Sequence, residues 1–336
     1  MKNKKILVTG AAGYIGGTFA FEALKKNYEI IGIDNFINSN KSVFQTLSNY
    51  KKFTSYELDL STESSLLSKI FTDHEPDAII HFAGLKAVEE SEKNQKLYWT
   101  NNLVSTLNLL DAAKIKKTDF IFSSSATVYG DTKEQPLSEI STTGTTSAYG
   151  STKLAQEFLI SDYSRAYEIN SISLRYFNPV GAHSDGIIFE NFLDSPNNLM
   201  PRIIRVAKNI DQKLYVFGND YKTKDGTGER DYIHISDLVD GHFAALNEMH
   251  NLKGHNIFNL GTGNKTSVKQ LIEIFEKVNK IKIPHEYVAR REGDVEICYA
   301  SPSKANKILK WSANKNLEQM CADAWNAVKN ESTKFM

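Results

Sequence analysis

The fold of this 336-residue chain is decided near its start, where residues 4–16 read KKILVTGAAGYIG. The apolar run that ends at Thr9 does not alternate with polar residues, which is typical of a parallel strand buried on both faces. Gly10, Gly13 and Gly16 follow, and a helical pattern then continues to about Lys26. Glycines at this spacing allow a tight turn and a close approach of the backbone to a pyrophosphate. The stretch therefore predicts a dinucleotide-binding turn in front of a helix N-terminus.

A second strand, predicted over 29–33, ends in Asp34, 18 residues after Gly16. An acid at this distance accepts hydrogen bonds from both hydroxyls of an adenosine ribose and would repel a 2′-phosphate. The position therefore favours NAD over NADP. The alternative is a strand-end aspartate that only caps the next loop.

Four more strands are separated by segments long enough for helices, one of them predicted over about 97–116. The strands are predicted over 53–60, 77–82, 119–123 and 170–176. This order predicts right-handed crossovers and a doubly wound parallel Rossmann sheet, whose ligands bind at the carboxyl ends of the strands. The residues predicted at those ends are Gly10, Asp34, Asp59, Ala83 and Ser124. Their convergence is a stronger signal than any one motif.

Candidate catalytic residues follow the fifth strand. Tyr149 and Lys153 are four apart in a predicted helix and so share one face. Neither is reactive alone at neutral pH, but a cation beside the phenol favours the phenolate, which makes Tyr149 a candidate general base. Ser125, at the strand end, could share a proton with a substrate oxygen. The alternatives are an ordinary Tyr-Lys pair on a solvated helix and a serine-rich turn.

The sequence changes character after Asn178, where prolines and glycines interrupt the chain. We therefore predict two domains, an NAD-binding domain over 1–178 and a smaller α/β substrate-binding lobe over 179–336, with some elements returning to the first. In the lobe a strand is predicted over 213–217 and helices over 236–250 and 267–277, with a last helical stripe over 317–328. Loop arginines such as Arg230 and Arg291 could clamp a diphosphate, or could form exposed salt bridges.

Composition excludes several classes of function. Lys plus Arg is 40 and Asp plus Glu is 40, so the zero net charge gives no reason to expect nucleic acid or an anionic membrane as partner. The histidines lack metal-ligand spacing, so no metal site is expected. Two cysteines, and no apolar run long enough for a signal peptide or a membrane helix, predict a cytoplasmic protein.

Six segments resemble a known family in order along nearly the whole chain. They are residues 81–88 (HFAGLKAV), 123–130 (SSSATVYG), 175–181 (RYFNPVG), 196–201 (PNNLMP), 230–234 (RDYIH) and 290–294 (RREGD). With the glycine turn, Ser125 and the Tyr149/Lys153 pair, the chain resembles the extended short-chain dehydrogenases/reductases, and more narrowly the UDP-glucose (UDP-galactose) 4-epimerases.

The resemblance implies that NAD stays bound while carbon 4 of a UDP-hexose gives up hydride and regains it on the opposite face. Tyr149 would take the proton of the 4-hydroxyl, Lys153 and the nicotinamide charge would lower its pKa, and Ser125 would steady the proton. NAD contacts are implied, besides the glycines and Asp34, for Tyr14, Ile15, Asn35, Asp59, Leu60, Phe82, Ala83, Gly84, Lys86, Asn101, Tyr149, Lys153 and Tyr176. UDP-sugar contacts are implied for Lys86, Ser125, Tyr149, Asn178, Asn198, Leu199, Tyr215, Phe217, Arg230, Tyr232, Arg291, Asp294 and Cys298.

Substrate range depends, by the same resemblance, on residue 298. Family members restricted to unacetylated sugars carry a bulky tyrosine there, and those that also accept N-acetyl sugars carry a small residue. Cys298 therefore predicts turnover of UDP-N-acetylglucosamine and UDP-N-acetylgalactosamine as well. Tyr299 is adjacent, and a shift of one residue would reverse this prediction.

Three rival functions share parts of this pattern. A nucleotide-sugar 4,6-dehydratase would need an Asp-Glu pair where this chain has Ala126 and Thr127. A simple ketoreductase would release its cofactor. A non-catalytic NAD-binding protein would tend to lose the tyrosine or the lysine. The family also implies a homodimer formed through the helices near 97–116 and 149–167.

Overall fold

The computed structural model describes residues 4–193, 196–291 and 293–329. The strands of its first part are β1 Lys5–Thr9, β2 Glu29–Asp34, β3 Phe53–Glu57, β4 Ala78–His81, β5 Asp119–Ser125 and β6 Ser171–Tyr176. The helices are α1 Tyr14–Lys25, α2 Lys41–Leu47, α3 Ser64–His74, α4 Val88–Lys93, α5 Gln95–Ala113 and α6 Ala148–Tyr167. Strands and helices thus alternate as the sequence predicted.

The remaining elements are shorter on average. They are β7 Asn178–Val180, α7 Leu199–Ala207, β8 Leu214–Phe217, β9 Glu229–Arg230, β10 Tyr232–His234, α8 Ile235–Glu248, β11 His255–Leu260, β12 Thr266–Ser267, α9 Val268–Asn279, β13 His285–Val288, β14 Ile297–Cys298 and α10 Leu317–Val328.

Seven strands form the main sheet in the order β11-β6-β5-β4-β1-β2-β3. The central strand β1 pairs in parallel with β2 and β4, so that Thr9 lies opposite Ile33 on one side and His81 on the other. Strand β5 continues in parallel beside β4. The carboxyl ends of these strands therefore meet at one edge, and the predicted doubly wound parallel sheet is confirmed.

Two details of the sheet differ from the sequence prediction. The third strand ends at Glu57 rather than residue 60, because β3 is the edge strand and its only partner, β2, ends at Asp34 opposite Glu57. A seventh strand, β11, was not predicted, since its residues His255–Leu260 alternate little and include two asparagines.

The described chain forms two compact units. The first contains the residues up to Gly130, Thr143–Arg175 and Gly241–Phe258. The second contains Asp131–Thr142, Tyr176–Asp240 and the residues from Asn259 onward. Residues 131–142 thus belong to the second unit and residues 241–258 to the first, although each segment lies on the other side of the predicted boundary after residue 178. The assignment of NAD binding to one domain and UDP-sugar binding to the other stays a prediction.

Each unit has its own apolar core. In the first, residues of the sheet such as Leu7 and Ile79 pack with Leu109 and Leu110 of α5. In the second, α9 and α10 pack with α7 and β8 around Phe275, which is fully buried. Within the described residues, no helix is both long enough and apolar enough to cross a membrane.

Candidate active site

The glycine turn between β1 and α1 has no room for side chains at two of its three glycines. Gly10 has φ +65°, and an added Cβ would lie 2.8 Å from the Ala83 nitrogen. A Cβ on Gly16 would lie 2.2 Å from the Gly10 carbonyl oxygen. The Gly13 amide donates to that same oxygen (3.0 Å) and closes the turn. A bare backbone of this shape, leading into a helix N-terminus, fits the pyrophosphate of NAD.

The predicted ribose acid is buried and held in place. One oxygen of Asp34 accepts from the Ala12 amide (2.9 Å), and the other accepts from the Phe36 amide (2.9 Å) and the Ser39 hydroxyl (2.7 Å). These donors tie the end of β2 to the glycine turn. A carboxylate oxygen can accept more than one hydrogen bond, so the geometry leaves capacity for a ribose hydroxyl.

Asn35 and Asp59 form a second polar pair at the same edge. The Asn35 amide donates to Asp59 (3.1 Å), whose other oxygen accepts from the Ser61 amide and hydroxyl. Burial acts to raise the pKa of Asp59, but the hydrogen bonds outweigh it and the pKa lies below its ordinary value. Asp59 is therefore ionised at neutral pH, so both of its oxygens act only as hydrogen-bond acceptors.

A buried asparagine that the sequence prediction missed orders the segment after β4. The Asn102 carbonyl oxygen accepts from the Leu85 amide (2.8 Å), and its amide group donates to the Leu85 carbonyl (3.1 Å) and the Thr152 hydroxyl (3.0 Å). Asn102 thus joins α5, α6 and the Gly84–Leu85 backbone. The prediction named its neighbour Asn101, which is half-buried. A wholly buried asparagine is not visible in a helical pattern.

Tyr149, Lys153 and Ser125 lie together at the carboxyl end of β5, whose last residue is Ser125. The Ser147 hydroxyl caps α6 by accepting from the Gly150 amide (3.1 Å). The Ser125 hydroxyl hydrogen bonds to the phenol of Tyr149. The Lys153 ammonium nitrogen donates to the Ser123 carbonyl (2.8 Å) and lies 5.9 Å from the centroid of the Tyr149 ring. The helical spacing therefore brings together the three residues that the sequence singled out.

Burial shifts the pKa values of both Tyr149 and Lys153 in the cofactor-free protein. Burial raises the pKa of Tyr149 to about 12, although the hydrogen bond from Ser125 opposes this. Burial also lowers the pKa of Lys153 to about 7. Burial outweighs any effect of Lys153 on the phenol, because neither charge is solvated at this depth. That Lys153 and the nicotinamide charge together lower the pKa of Tyr149 stays a prediction. In the free protein the phenol is protonated, and an additional positive charge nearby is needed to ionise it.

The lowered lysine pKa predicts a pH-dependent stability of the NAD-free protein. Below pH 7 Lys153 is protonated both folded and unfolded. Above pH 7 the folded protein binds fewer protons than the unfolded chain, so the free energy of unfolding rises with pH. We expect wild type to gain stability relative to Lys153→Met as pH rises from about 6 to 8.5. Parallel thermal-unfolding profiles of the two NAD-free proteins would contradict this.

A buried ion pair supports the catalytic helix. Arg175 donates to both oxygens of Glu157, at 2.9 and 2.6 Å, and the two side chains are 3% and 4% exposed. Glu157 is one helical turn after Lys153 and acts to raise its pKa, against the larger effect of burial. Ser124 also donates to Glu157 (2.5 Å). The pair therefore fixes α6 against β5 and β6.

In the second unit, Arg230, Asp294 and Cys298 lie close together. Arg230 donates to the Glu229 carbonyl (3.0 Å), and its guanidinium lies 3.8 Å from the Asp294 carboxylate. Cys298 pairs with Arg230 in register across parallel strands β14 and β9. Part of the Arg230 guanidinium is thus used in contacts within the protein, and its remaining N–H groups are able to bind an anion.

Phe217 is covered by arginines from two segments. The Arg291 guanidinium carbon lies 4.6 Å from the centroid of the Phe217 ring, and that of Arg202 lies at 5.5 Å. Arg290, by contrast, is bound to Asp220 (2.7 Å) and stacks on Tyr221 (4.1 Å). This difference separates the two arginines of the 290–294 motif and favours Arg291 as the ligand-binding one. Glu292 of that motif lies outside the described residues.

Asp231 is hydrogen-bonded to several segments around Arg230 and Cys298, and the sequence prediction missed it. Its carboxylate accepts four hydrogen bonds, from the Thr262 amide and hydroxyl, the Gly263 amide and the Ala300 amide. Its backbone accepts from the Asn178 amide and donates to the Cys298 carbonyl. Asp231 therefore positions its neighbours Arg230 and Tyr232.

The remaining predicted residues are distributed over several elements. Phe82 packs on His242 (4.9 Å between ring centroids) in the first unit. In the second, Asn198 donates to Glu190 (2.6 Å) just before α7 begins at Leu199, and Tyr215 and Phe217 share one face of β8. Tyr176 and Tyr232 are buried, and Lys86 is exposed. No cluster of His, Cys, Asp and Glu able to hold a metal occurs among the described residues.

A parallel sheet with a glycine turn, a strand-end acid and a Ser/Tyr/Lys group defines an NAD-binding protein of the short-chain dehydrogenase/reductase class. Residues 6–261 match the NAD dependent epimerase/dehydratase family. The chain is 47% identical over 335 residues to UDP-glucose 4-epimerase 2 of Arabidopsis thaliana, across 97% of this chain and 95% of the relative.

Solved structures give the same result. The UDP-glucose 4-epimerase of Bifidobacterium longum, in complex with NAD+ and UDP, is 42% identical with a TM-score of 0.91, over 97% of this chain and 98% of that one. The UDP-Glc/GlcNAc 4-epimerase of Campylobacter jejuni is 35% identical with a TM-score of 0.85, over 97% and 99%. The chain therefore belongs to the NAD dependent epimerase/dehydratase family, in the group formed by the UDP-glucose 4-epimerases.

Proposed function

We propose that this protein is an NAD-dependent isomerase that interconverts UDP-glucose and UDP-galactose at carbon 4 of the sugar. The main support for this function is the Ser125–Tyr149–Lys153 group, which lies at the same sheet edge as the glycine turn and Asp34. The relatives named above act on UDP-glucose, which supports the same substrate here.

Bound NAD would supply the hydride acceptor that the reaction needs, and its positive charge when oxidised. Tyr149 accepts the proton of the 4-hydroxyl as the C4–H bond breaks, which leaves a ketone at carbon 4. Ser125, hydrogen-bonded to the phenol, orients this proton. In the return step Tyr149 gives the proton back to the oxygen while carbon 4 regains hydride on its other face.

The residues of this chain fit the cofactor at three points. The glycine turn leaves no side chain in the path of the pyrophosphate, Asp34 and Asp59 offer acceptors for the adenosine, and Lys153 is held by Ser123 near the nicotinamide end. The lowered pKa of Lys153 means that a proton can be gained or lost there near neutral pH. Lys153 is therefore suited to follow the charge state of Tyr149 during the cycle.

We assign the second unit to the UDP part of the substrate. Arg230 and Arg291 would bind the diphosphate, because guanidinium groups pair with two phosphate oxygens at once. Tyr215 and Phe217 offer an aromatic face for the uracil. Firm binding of the nucleotide would leave the 4-keto sugar free to turn over between the two hydride transfers.

Incubation of the purified protein with each of the four UDP-sugars, without added NAD, tests this function. We expect UDP-glucose and UDP-galactose to interconvert, and NAD to remain with the protein on gel filtration. A 4-keto-6-deoxy product would instead indicate a dehydratase, and a requirement for added cofactor would indicate a ketoreductase. Absence of any product with bound NAD present would favour the non-catalytic alternative.

We also propose activity on the N-acetylated pair of UDP-sugars, carried by Cys298. Partners in register across parallel strands have side chains on the same face, and the next residue has its side chain on the other. Cys298, the register partner of Arg230, therefore shares the face of a proposed diphosphate-binding residue, and Tyr299 does not. Cysteine is a small residue. Burial raises the pKa of the Cys298 thiol to about 11, so the side chain is also uncharged at neutral pH.

Replacing Cys298 by tyrosine should remove N-acetyl activity and spare the unacetylated pair. A phenol ring would occupy the space that the acetamido group needs, and a steric clash of this kind typically costs about 1–3 kcal/mol, or a roughly 5- to 150-fold drop in kcat/KM. Cys298→Ser is the matched control, since it keeps the residue small. Equal loss of both activities in Cys298→Tyr would contradict the assignment.

We further propose a cytoplasmic homodimer joined through α5 and α6. Large apolar side chains are exposed on these helices, with Leu97 51% and Phe158 63% exposed. Both cysteines, Cys298 and Cys321, are free, in keeping with a reducing compartment. Light scattering coupled to gel filtration, with Phe158→Glu as the disrupting variant, tests the dimer.

A further inference from the structure

The Gln135 side chain holds the strand that carries Cys298. Its amide nitrogen donates to the Ile297 carbonyl (3.0 Å), and its amide oxygen accepts from the Tyr299 backbone N–H (3.1 Å). The two hydrogen bonds thus lie on either side of residue 298. Gln135 is more than 160 positions away in sequence but belongs to the same compact unit.

The other edge of the strand is held by the backbone. Strand β14 has only two residues, Ile297 and Cys298, and pairs with β9. There the Glu229 amide donates to the Glu296 carbonyl (2.9 Å), and the Asp231 amide donates to the Cys298 carbonyl (3.1 Å). The Gln135 amide therefore takes the place of a neighbouring strand on the open edge.

The chain after Gln135 continues this pairing. The Leu137 amide donates to the Tyr299 carbonyl (2.9 Å), and the Ser301 amide donates to the Leu137 carbonyl (2.7 Å). The pairing fixes the register of residues 297–301. A slip of β14 by one residue would exchange the faces of Cys298 and Tyr299, because neighbouring side chains of a strand alternate.

We infer that Gln135 is a positioning residue for sugar specificity. It fixes the register that turns the small Cys298, and not the bulky Tyr299, towards the face of Arg230. The inference rests on the proposed function, and in particular on Cys298 as the residue beside the acetamido group. A carboxamide is required because it offers one donor and one acceptor to the two backbone groups.

The test compares Gln135→Leu and Gln135→Glu with wild type. Leucine removes both hydrogen bonds at similar size, and we expect kcat/KM for the N-acetyl sugars to fall about tenfold relative to the unacetylated sugars. Glutamate keeps the acceptor for Tyr299 but loses the donor to Ile297, so a smaller fall is expected. The Kd for UDP should stay unchanged in both, since Arg230 and Arg291 are untouched.

A second substitution separates specificity from general damage. Adding Tyr299→Ala to Gln135→Leu should restore the N-acetyl activity, because the side chain that a one-residue slip of β14 turns towards the face of Arg230 is then small. Tyr299→Ala alone sets the baseline. Asn316→Ala is the matched control for stability, since it removes a side-chain hydrogen bond that caps α10 in the same unit. It should leave the ratio of activities unchanged.

Three outcomes would overturn the role inferred for Gln135. An unchanged activity ratio in Gln135→Leu, in a protein whose wild type accepts both sugar classes, overturns the role of Gln135 alone. Loss of both activities in proportion, not restored by Tyr299→Ala, shows a merely structural role and also overturns it. A wild type without N-acetyl activity overturns the assignment of Cys298, and the role of Gln135 with it.

Discussion

Replacing Tyr149 by phenylalanine should lower the turnover of UDP-galactose by about 100- to 10,000-fold, the range in which a positioned general base contributes. The substitution removes one oxygen atom, the one that hydrogen bonds to Ser125 and takes the substrate proton. The backbone of α6 and its cap at Ser147 are unchanged. The expected defect is therefore in kcat, with NAD still bound.

Tyr163→Phe on the same helix is the matched control. The Tyr163 hydroxyl donates to Asp111 (2.9 Å) at the surface, away from the sheet edge. Initial rates and the NAD content of the purified proteins should be measured together. If Tyr149→Phe kept more than a tenth of wild-type kcat while holding NAD, another group would have to be the base.

The parts of the fold that could be predicted are those in which neighbouring residues cause the structure. Residues 6–8 are apolar without alternation because β1 is buried on both faces. Gly10 and Gly16 are required because any Cβ would meet backbone atoms. The spacing of Tyr149 and Lys153 likewise depends only on helix geometry. Local patterns therefore predicted the sheet edge and the residues at it.

Other features depend on contacts between distant residues, which leave no local pattern. The Asn102 and Asp231 side chains each join three segments, and that of Gln135 joins two; in each case the partners lie 17 or more positions away. The protonation state of Tyr149 could not be predicted for a similar reason. The residue types indicate that a cation is nearby, but burial decides whether the charges form.

Replacing Gly16 by alanine should abolish tight binding of NAD. The added methyl group would lie 2.2 Å from the Gly10 carbonyl oxygen and 3.3 Å from the Phe82 ring. The first turn of α1 cannot rotate away, because the Gly17 amide is bound to the Gly13 carbonyl (2.8 Å) and the Gly13 amide to Gly10. The glycine turn must therefore open, and the backbone N–H groups that would face the pyrophosphate move apart.

Overpacking of this kind costs about 1–3 kcal/mol or more, so we expect the affinity for NAD to fall about 5- to 150-fold or more. Gly144→Ala is the matched control, since a Cβ there meets no atom within 4 Å. The measurements are the NAD content after gel filtration and the Kd for NAD of the stripped proteins. Gly16→Ala recovered with full NAD would mean that the turn yields without cost, and the glycine spacing would then reflect packing of α1 on the sheet and not the cofactor.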